Sequence, residues 1–230
     1  MRIVVMSDTH SMHDRIDKIP EGDVLVHCGD FLGANRIENL DRFARWFRLA
    51  GKNFRASIIV PGNHDLMFEP YDAPYRSPRY SGKRENQEYW ARYSWIHFLS
   101  DTGVEIDGVK FWGSPWTPAF NRWGFNLPRG GELAQAHAKI PSDTDVLITH
   151  GPPHGILDEC PSAKAWSRTE NAGCEDLLRE VCNRIRPKVH LFGHIHEGSG
   201  EIEQHGIKFV NASICDGEFK PTNPVRVVEI

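Results

Sequence analysis

Five short segments of this chain carry residue types that bind metals: Asp8-Thr9-His10, Gly29-Asp30, Gly62-Asn63-His64-Asp65, His150-Gly151 and Gly193-His194-Ile195-His196. Imidazole nitrogens mix here with carboxylate and amide oxygens, and no thiolate is among them. Such a donor set suits manganese first, with iron, zinc, nickel or cobalt as alternatives, and argues against magnesium or calcium alone. Two Asp (Asp8, Asp30), one Asn (Asn63) and four His (His10, His150, His194, His196) exceed what one tetrahedral zinc needs. They match two divalent cations sharing a carboxylate. A cation pair about 3.5–4 Å apart makes a hydroxide nucleophile available at neutral pH and neutralises charge on phosphoryl oxygens. His64 follows Asn63 directly and has Asp65 beside it. A catalytic role for His64 is therefore expected, with Asp65 orienting its ring.

Each motif alone is a weak signal, since a D-x-H triplet or a Gly-Asp pair arises by chance in many sequences. What precedes each motif gives the set its force. Ile3 to Met6, Val24 to His27, Ser57 to Val60, Val146 to Thr149 and Val189 to Phe192 are short runs rich in Val, Ile or Leu. They read as strands, and their near-continuous apolar character predicts sheets covered on both faces. In open α/β sheets, sites form beyond the carboxyl ends of strands, so five loops in those positions can converge. Glycines in the motifs permit tight turns there.

Helical patterns lie between the runs. Asn35 is a candidate cap for a helix through Leu49, with Ile37, Leu40, Phe43, Ala44 and Phe47 on one face and Gly51 ending it. Asn171 to Arg186 carries a second stripe, Cys174, Leu177, Leu178, Val181, Cys182 and Ile185, stopped by Pro187. Hairpins are expected at Asp107-Gly108 and His205-Gly206, and a last strand over Val225 to Ile230. Residues 69 to 86, rich in Pro, Tyr, Arg and Ser, read as a long surface excursion. The order of elements argues for one α/β domain over residues 1–230.

The net charge is −4 with no basic block, which disfavours stable binding of long nucleic acid. A small phosphate substrate stays open, because bound metal supplies positive charge. Five scattered cysteines without a C-x-x-C pair form no disulfide framework or zinc ribbon. Reduced thiols, no signal-peptide core and no membrane-length apolar stretch together predict a cytoplasmic protein. Among the other histidines, His27 and His190 lie inside strand-like runs and are expected in the interior. His13, His97, His137 and His205 are expected at the surface, and Asp14 is a candidate partner for a ligand imidazole. Trp112, Trp116, Phe120, Trp123 and Phe125 are expected mostly to anchor their own loop, with one or two facing a substrate groove.

The ordered series resembles the calcineurin-like metallophosphoesterase superfamily. Longer stretches are similar to its metallophosphoesterase-domain-containing subfamily, known from animals: Trp116-Thr117-Pro118, Trp123 to Gly130, His150-Gly151-Pro152-Pro153, Gly193 to Gly198, and Val210-Asn211-Ala212-Ser213. The resemblance implies a four-layer αββα sandwich of two mixed sheets flanked by helices. It implies that Asp8, His10 and His196 hold one metal, that Asn63, His150 and His194 hold the other, and that Asp30 bridges them. His64 would sit beside the phosphate. A small phosphodiester or nucleotide, cyclic nucleotides included, is the implied substrate, hydrolysed by in-line attack of a metal-bridging hydroxide. Gly33 stands where purple acid phosphatases have a tyrosinate ligand, so that subclass is not matched. The competing readings are a nuclease on DNA or RNA, and an inactive interaction scaffold on the same fold.

Overall fold

Side-chain alternation within the apolar runs divides the core into three slabs. Along Arg2–Met6, Ile3 and Val5 join one buried cluster while Val4 and Met6 join another, and all four are fully buried. A strand apolar on both faces must be covered on both. The computed structural model describes residues 1–82, 85, 88–161 and 169–230, and shows how that cover is supplied.

The first sheet runs in the order Arg226–Glu229, Arg2–Met6, Val24–His27, Ala56–Ile59, Ile96–Phe98, with its last four strands parallel and the first antiparallel. The second runs Gly200–Gln204, Ile207–Asn211, Val189–Phe192, Val146–Thr149, Val109–Ser114, Thr102–Ile106; its central four strands are parallel and both edges antiparallel. Ile3, Val5, Val26 and Ile58 pack between the sheets against Phe111, Val146, Ile148 and Leu191. On the outer face of the first sheet, Val4, Leu25 and Ile59 meet Phe43 and Phe47 of the helix Ile37–Ala50. On the outer face of the second, Leu147, Phe192 and Phe209 meet Leu133 of the helix Gly131–Ala138 and Leu177 of the helix Glu175–Glu180. The order is helix, sheet, sheet, helix: the expected four-layer α/β sandwich. Each such side chain contributes about 1.5–3 kcal/mol by leaving water.

Both expected hairpins form, with left-handed φ at Asp107 and Gly108 and at His205 and Gly206, as tight turns between twisted strands require. The helix boundaries differ from expectation. Asn35 does not cap the Ile37–Ala50 helix, whose N-cap is Arg36 without a side-chain bond. Its amide instead donates to the His64 carbonyl (2.8 Å) and accepts from the Met67 N–H (3.1 Å). Ile37 is largely exposed rather than on the buried face. The second helix starts later than Asn171, which pairs in the short strand Thr169–Asn171; Cys174 is the cap, its sulfur accepting from Leu177 N–H. The helix continues as a π turn over Val181–Ile185 and ends at Arg186 in the left-handed region, before Pro187. Of the 69–86 excursion, residues 83, 84 and 86 lie outside the described residues. The rest is pinned by Glu69, buried, whose carboxylate accepts from the N–H groups of Ser77 and Phe125.

The two sheets are stitched together at one end. Ser7 N–H donates to Ala212 O (2.8 Å) and Ile214 N–H to Ser7 O (2.9 Å), so the carboxyl ends of strands from both sheets meet.

Candidate metal centre

All five motif loops leave strands at that stitched end. Loops of the first sheet bring Asp8, His10, Asp30, Asn63 and His64, and loops of the second bring His150, His194 and His196. They form one cleft of about 260 Å³, lined by His10, Asp30, Asn63, His64, His194 and His196, with Asp8 and His150 fully buried beneath. Donor atoms of Asp8, His10 and His196 lie within 4.8 Å of one another, as do those of Asp30, His150 and His194. Asn63 joins the second group through Oδ1, 2.8 Å from His150 Nε2. Asp30 lies between, 3.9 Å from His10 Nε2 and 3.5 Å from His150 Nε2.

The backbone is strained to achieve this. Asp8, His10, Asp30 and His194 all have positive φ, between 42° and 72°, where side chains other than Gly are costly. The neighbouring glycines leave room. A Cβ on Gly193 would stand 2.1 Å from Asp8 Oδ2, and one on Gly29, at φ 110°, would stand 2.5 Å from His150 Nδ1.

Donor atoms are oriented from behind. His150 Nδ1–H donates to Cys28 O and His196 Nδ1–H to Asp216 O, both at 2.9 Å, which turns each Nε2 toward the cleft. Asp8 Oδ2 accepts from Ser213 Oγ (2.8 Å) and from the His194 N–H (2.9 Å). Its Oδ1 is buried with no hydrogen-bond partner. A buried carboxylate oxygen without a hydrogen bond, 3.6 Å from His196 Nε2, and imidazole Nε2 atoms facing each other at 3.2 Å across His10 and His196 fit a cation between them. Electrostatics agree. Burial works against charge throughout, yet the Asp30 carboxylate lifts His150 to about 9, and Asp8 lifts His196 to about 9. Burial drives His10 down to about 4 and His194 to about 3. Each half of the cleft therefore favours positive charge beside its carboxylate, which is what a divalent cation supplies.

The structure corrects several expectations. Asp65 does not turn the His64 ring: its buried carboxylate accepts backbone N–H groups of Asp30, Leu32 and Gly62, locking two motif loops together. The ring of His64 is instead stacked on Trp123 (4.0 Å) and meets His10 edge-on (4.8 Å). Arg79 lies over the Trp123 ring, 4.3 Å from its centroid. Asp14 pairs with Arg42 at the surface and orients no imidazole. His13 and His137 are buried rather than exposed, His13 against Phe43 and Trp46. Of the aromatic run, Phe120 and Trp123 line the cleft, whereas Phe125 is fully buried and Trp116 donates to Asp101.

Sequence reasoning missed Ser213, Asn211 and Phe219. Asn211 donates to Ile195 O (2.7 Å) and accepts from Ser213 N–H, so it links the His194–His196 loop to the residue that grips Asp8. Phe219 sits on the rings of His10 and His196. The signal was available: Ile207–Asn211 is parallel to Val189–Phe192, so its carboxyl end points at the same site.

Residues 1–198 match the calcineurin-like phosphoesterase family. Over its whole length the chain is 38% identical to metallophosphoesterase domain-containing protein 1 of Homo sapiens and of Mus musculus, spanning 71% of each. Two UPF0046 proteins of Caenorhabditis elegans are 32% and 34% identical, over 100% and 98% of this chain and 60% and 74% of theirs. Among solved structures an archaeal phosphodiesterase aligns at 16% identity and a TM-score of 0.47, over all of this chain and 93% of that one, a likeness too distant to bear on substrate. Among the described residues no helix is long and apolar enough to cross a membrane. The chain belongs to the calcineurin-like phosphoesterase family and is a metal-dependent hydrolase of phosphoric esters.

Proposed function

We propose that residues 1–230 act as one phosphodiesterase domain for small nucleotide-type diesters, cyclic nucleotides among them, using two divalent cations with manganese foremost. Asp8, His10 and His196 would hold one ion and Asn63, His150 and His194 the other, with Asp30 shared. Bound there, the ions supply a nucleophile from water at neutral pH and offset charge on the phosphoryl oxygens. The observation that carries this reading is the duplicated carboxylate–imidazole pairing, Asp8 with His196 (3.6 Å) and Asp30 with His150 (3.5 Å), in one cleft.

The chain's own groups do the rest. His64 is clamped: its N–H donates to Asp30 Oδ1 (2.7 Å), its carbonyl accepts from Asn35, and its ring rests on Trp123. A ring nitrogen of His64 delivers the proton that the leaving oxygen needs. Phe120, Trp123 and Phe219 form an apolar rim that keeps water off the phosphoryl group and offers ring faces to a base. A net charge of −4 supports a small substrate over a nucleic-acid polymer. The free thiols of Cys28, Cys160, Cys174, Cys182 and Cys215 support the cytoplasm as its compartment.

The test is reconstitution. Protein stripped with chelator and reloaded with Mn, Ni, Co, Zn or Mg is assayed on an aryl phosphodiester and on the matching monoester. Metal-dependent turnover favouring the diester is expected. Turnover of the monoester alone would discard the substrate class, and inert protein with both ions bound would favour the scaffold reading.

A further inference from the structure

A second, larger cavity of about 760 Å³ opens beside the catalytic cleft, and Phe120 lines both. Its walls come from the 69–82 excursion and the 119–126 loop, with Tyr71, Tyr75 and Arg76 on one side and Asn121 and Arg122 on the other. Phe120 is the partition: its ring meets His194 edge-on at 5.1 Å, and its N–H is held by Asn126 Oδ1 (3.1 Å). A ligand seated over His194 and one in the groove would therefore both touch Phe120.

The groove is built rather than incidental. Asn121 and Arg122 are consecutive left-handed residues, φ 46° and 56°. Their carbonyls are held by Arg79 and by Ser77 Oγ (2.7 Å), from the opposite wall. Asn126 beneath is nearly fully buried and donates to Thr117 Oγ1 and Gly124 O. Two walls fastened across the floor fix the width of the gap. Its chemistry is also one-sided. No carboxylate among the described residues lines it, although the chain as a whole is acidic. Among the described residues neither Arg76 nor Arg122 pairs with a carboxylate; Arg76 makes one long contact, 3.4 Å to Tyr71 O. At its outer edge Tyr75 OH donates to Glu132 Oε1 (3.2 Å), which fixes that ring.

Two arginines without acidic partners recognise phosphate, and exposed tyrosine rings stack on bases. Size then decides what spans the two cavities. Sites for drug-sized ligands run from about 300 to 1,000 Å³, so a cleft of 260 Å³ takes one phosphoryl group and its immediate ester, while the groove takes a nucleotide. We propose that this groove is the subsite for the far half of a linear phosphodiester, a second nucleotide whose base meets the tyrosines and whose terminal phosphate meets Arg76 and Arg122. The inference rests on the phosphodiesterase reading above. Linear dinucleotides bearing a terminal phosphate are then better substrates than 3′,5′-cyclic nucleotides, which leave the groove empty.

The test compares wild type with the double variant Arg76→Glu/Arg122→Glu and the charge-preserving Arg76→Lys/Arg122→Lys. The probes are a 5′-phosphorylated adenosine dinucleotide and a bis-aryl phosphodiester, which carries no terminal phosphate for Arg76 and Arg122 to hold. The ratio of kcat/KM for dinucleotide over aryl diester is expected to fall at least tenfold in the Glu variant and no more than about threefold in the Lys variant. Calorimetric binding of the dinucleotide to chelator-treated protein should weaken in the same order. A ratio and a binding constant unchanged by the Glu substitutions would overturn the subsite. Should wild type hydrolyse no diester with any metal, the phosphodiesterase reading fails, and the metal-free binding comparison still decides whether the groove holds the dinucleotide.

Discussion

Asp8, Asp30, Asn63 and His150 on the floor of the cleft are 0–2% exposed, whereas Tyr71, Tyr75 and Phe120 on the adjoining wall are 67%, 47% and 37% exposed. The floor is fastened from behind. Ser213 holds Asp8, Cys28 O holds His150, Asp65 ties the Asp30 loop to the Asn63 loop, and strained backbone at Asp8, His10 and Asp30 fixes the direction of each side chain. The wall is fastened at its backbone, by Ser77, Arg79 and Glu69, while its tyrosines and arginines reach outward with few partners. The contrast separates two tasks. Phosphoryl chemistry tolerates little displacement of reacting groups, so the floor is over-determined. Selection among substrates needs only surface chemistry, so Tyr71, Tyr75, Arg76 and Arg122 can be exchanged without disturbing the proposed ligands below, whereas Phe120 packs on His194.

Breaking the floor should cost most. His64→Ala removes the proposed proton donor and leaves the proposed ligand set in place, so kcat should fall about 10²–10⁴-fold while the metal content per chain holds. A fall in bound metal of the same size would reassign His64 to metal retention. Ser213→Ala deletes the Oγ–H that grips Asp8 Oδ2. Metal affinity, read by titration with Mn or Zn, should drop roughly 10–100-fold with thermal unfolding nearly unchanged. An unaltered affinity would mean that the His194 N–H holds Asp8 by itself. Trp123→Ala removes the ring beneath His64 and Arg79. An aromatic stack is worth about 0.5–1.5 kcal/mol, so kcat/KM should fall no more than about tenfold. A larger loss would place Trp123 with the floor and blur the division between the two regions.

How far the sequence led depended on how local each signal was. A strand followed at once by Asp-x-His or Gly-His-x-His announces both the ligand and the loop that aims it. The convergence of these residues on one cleft was therefore legible, and so were both hairpins and the covered sheets. Roles set by the pairing of distant segments were not. Ser213 acts on Asp8 only because Ile207–Asn211 comes beside Val189–Phe192 and Ser7 bridges to Ser213. Asp65 has a neighbouring histidine in sequence, but the tight turn at Gly62–Asp65 points its carboxylate back into the loop backbone. His137 sits between Ala136 and Ala138 in a short helix, and the packing of that helix on the second sheet buries it. The partition at Phe120 depends on an excursion whose path no periodicity describes.

The proposed centre holds two cations that share Asp30. Metal content per chain, measured by mass spectrometry on wild type and Asp30→Asn after loading and desalting, tests it most directly. Two ions are expected in wild type, at most one retained in the variant, and a loss of diester turnover of at least about 10³-fold, ~4 kcal/mol of transition-state stabilisation. One ion in wild type, or two ions and full turnover in Asp30→Asn, would contradict it.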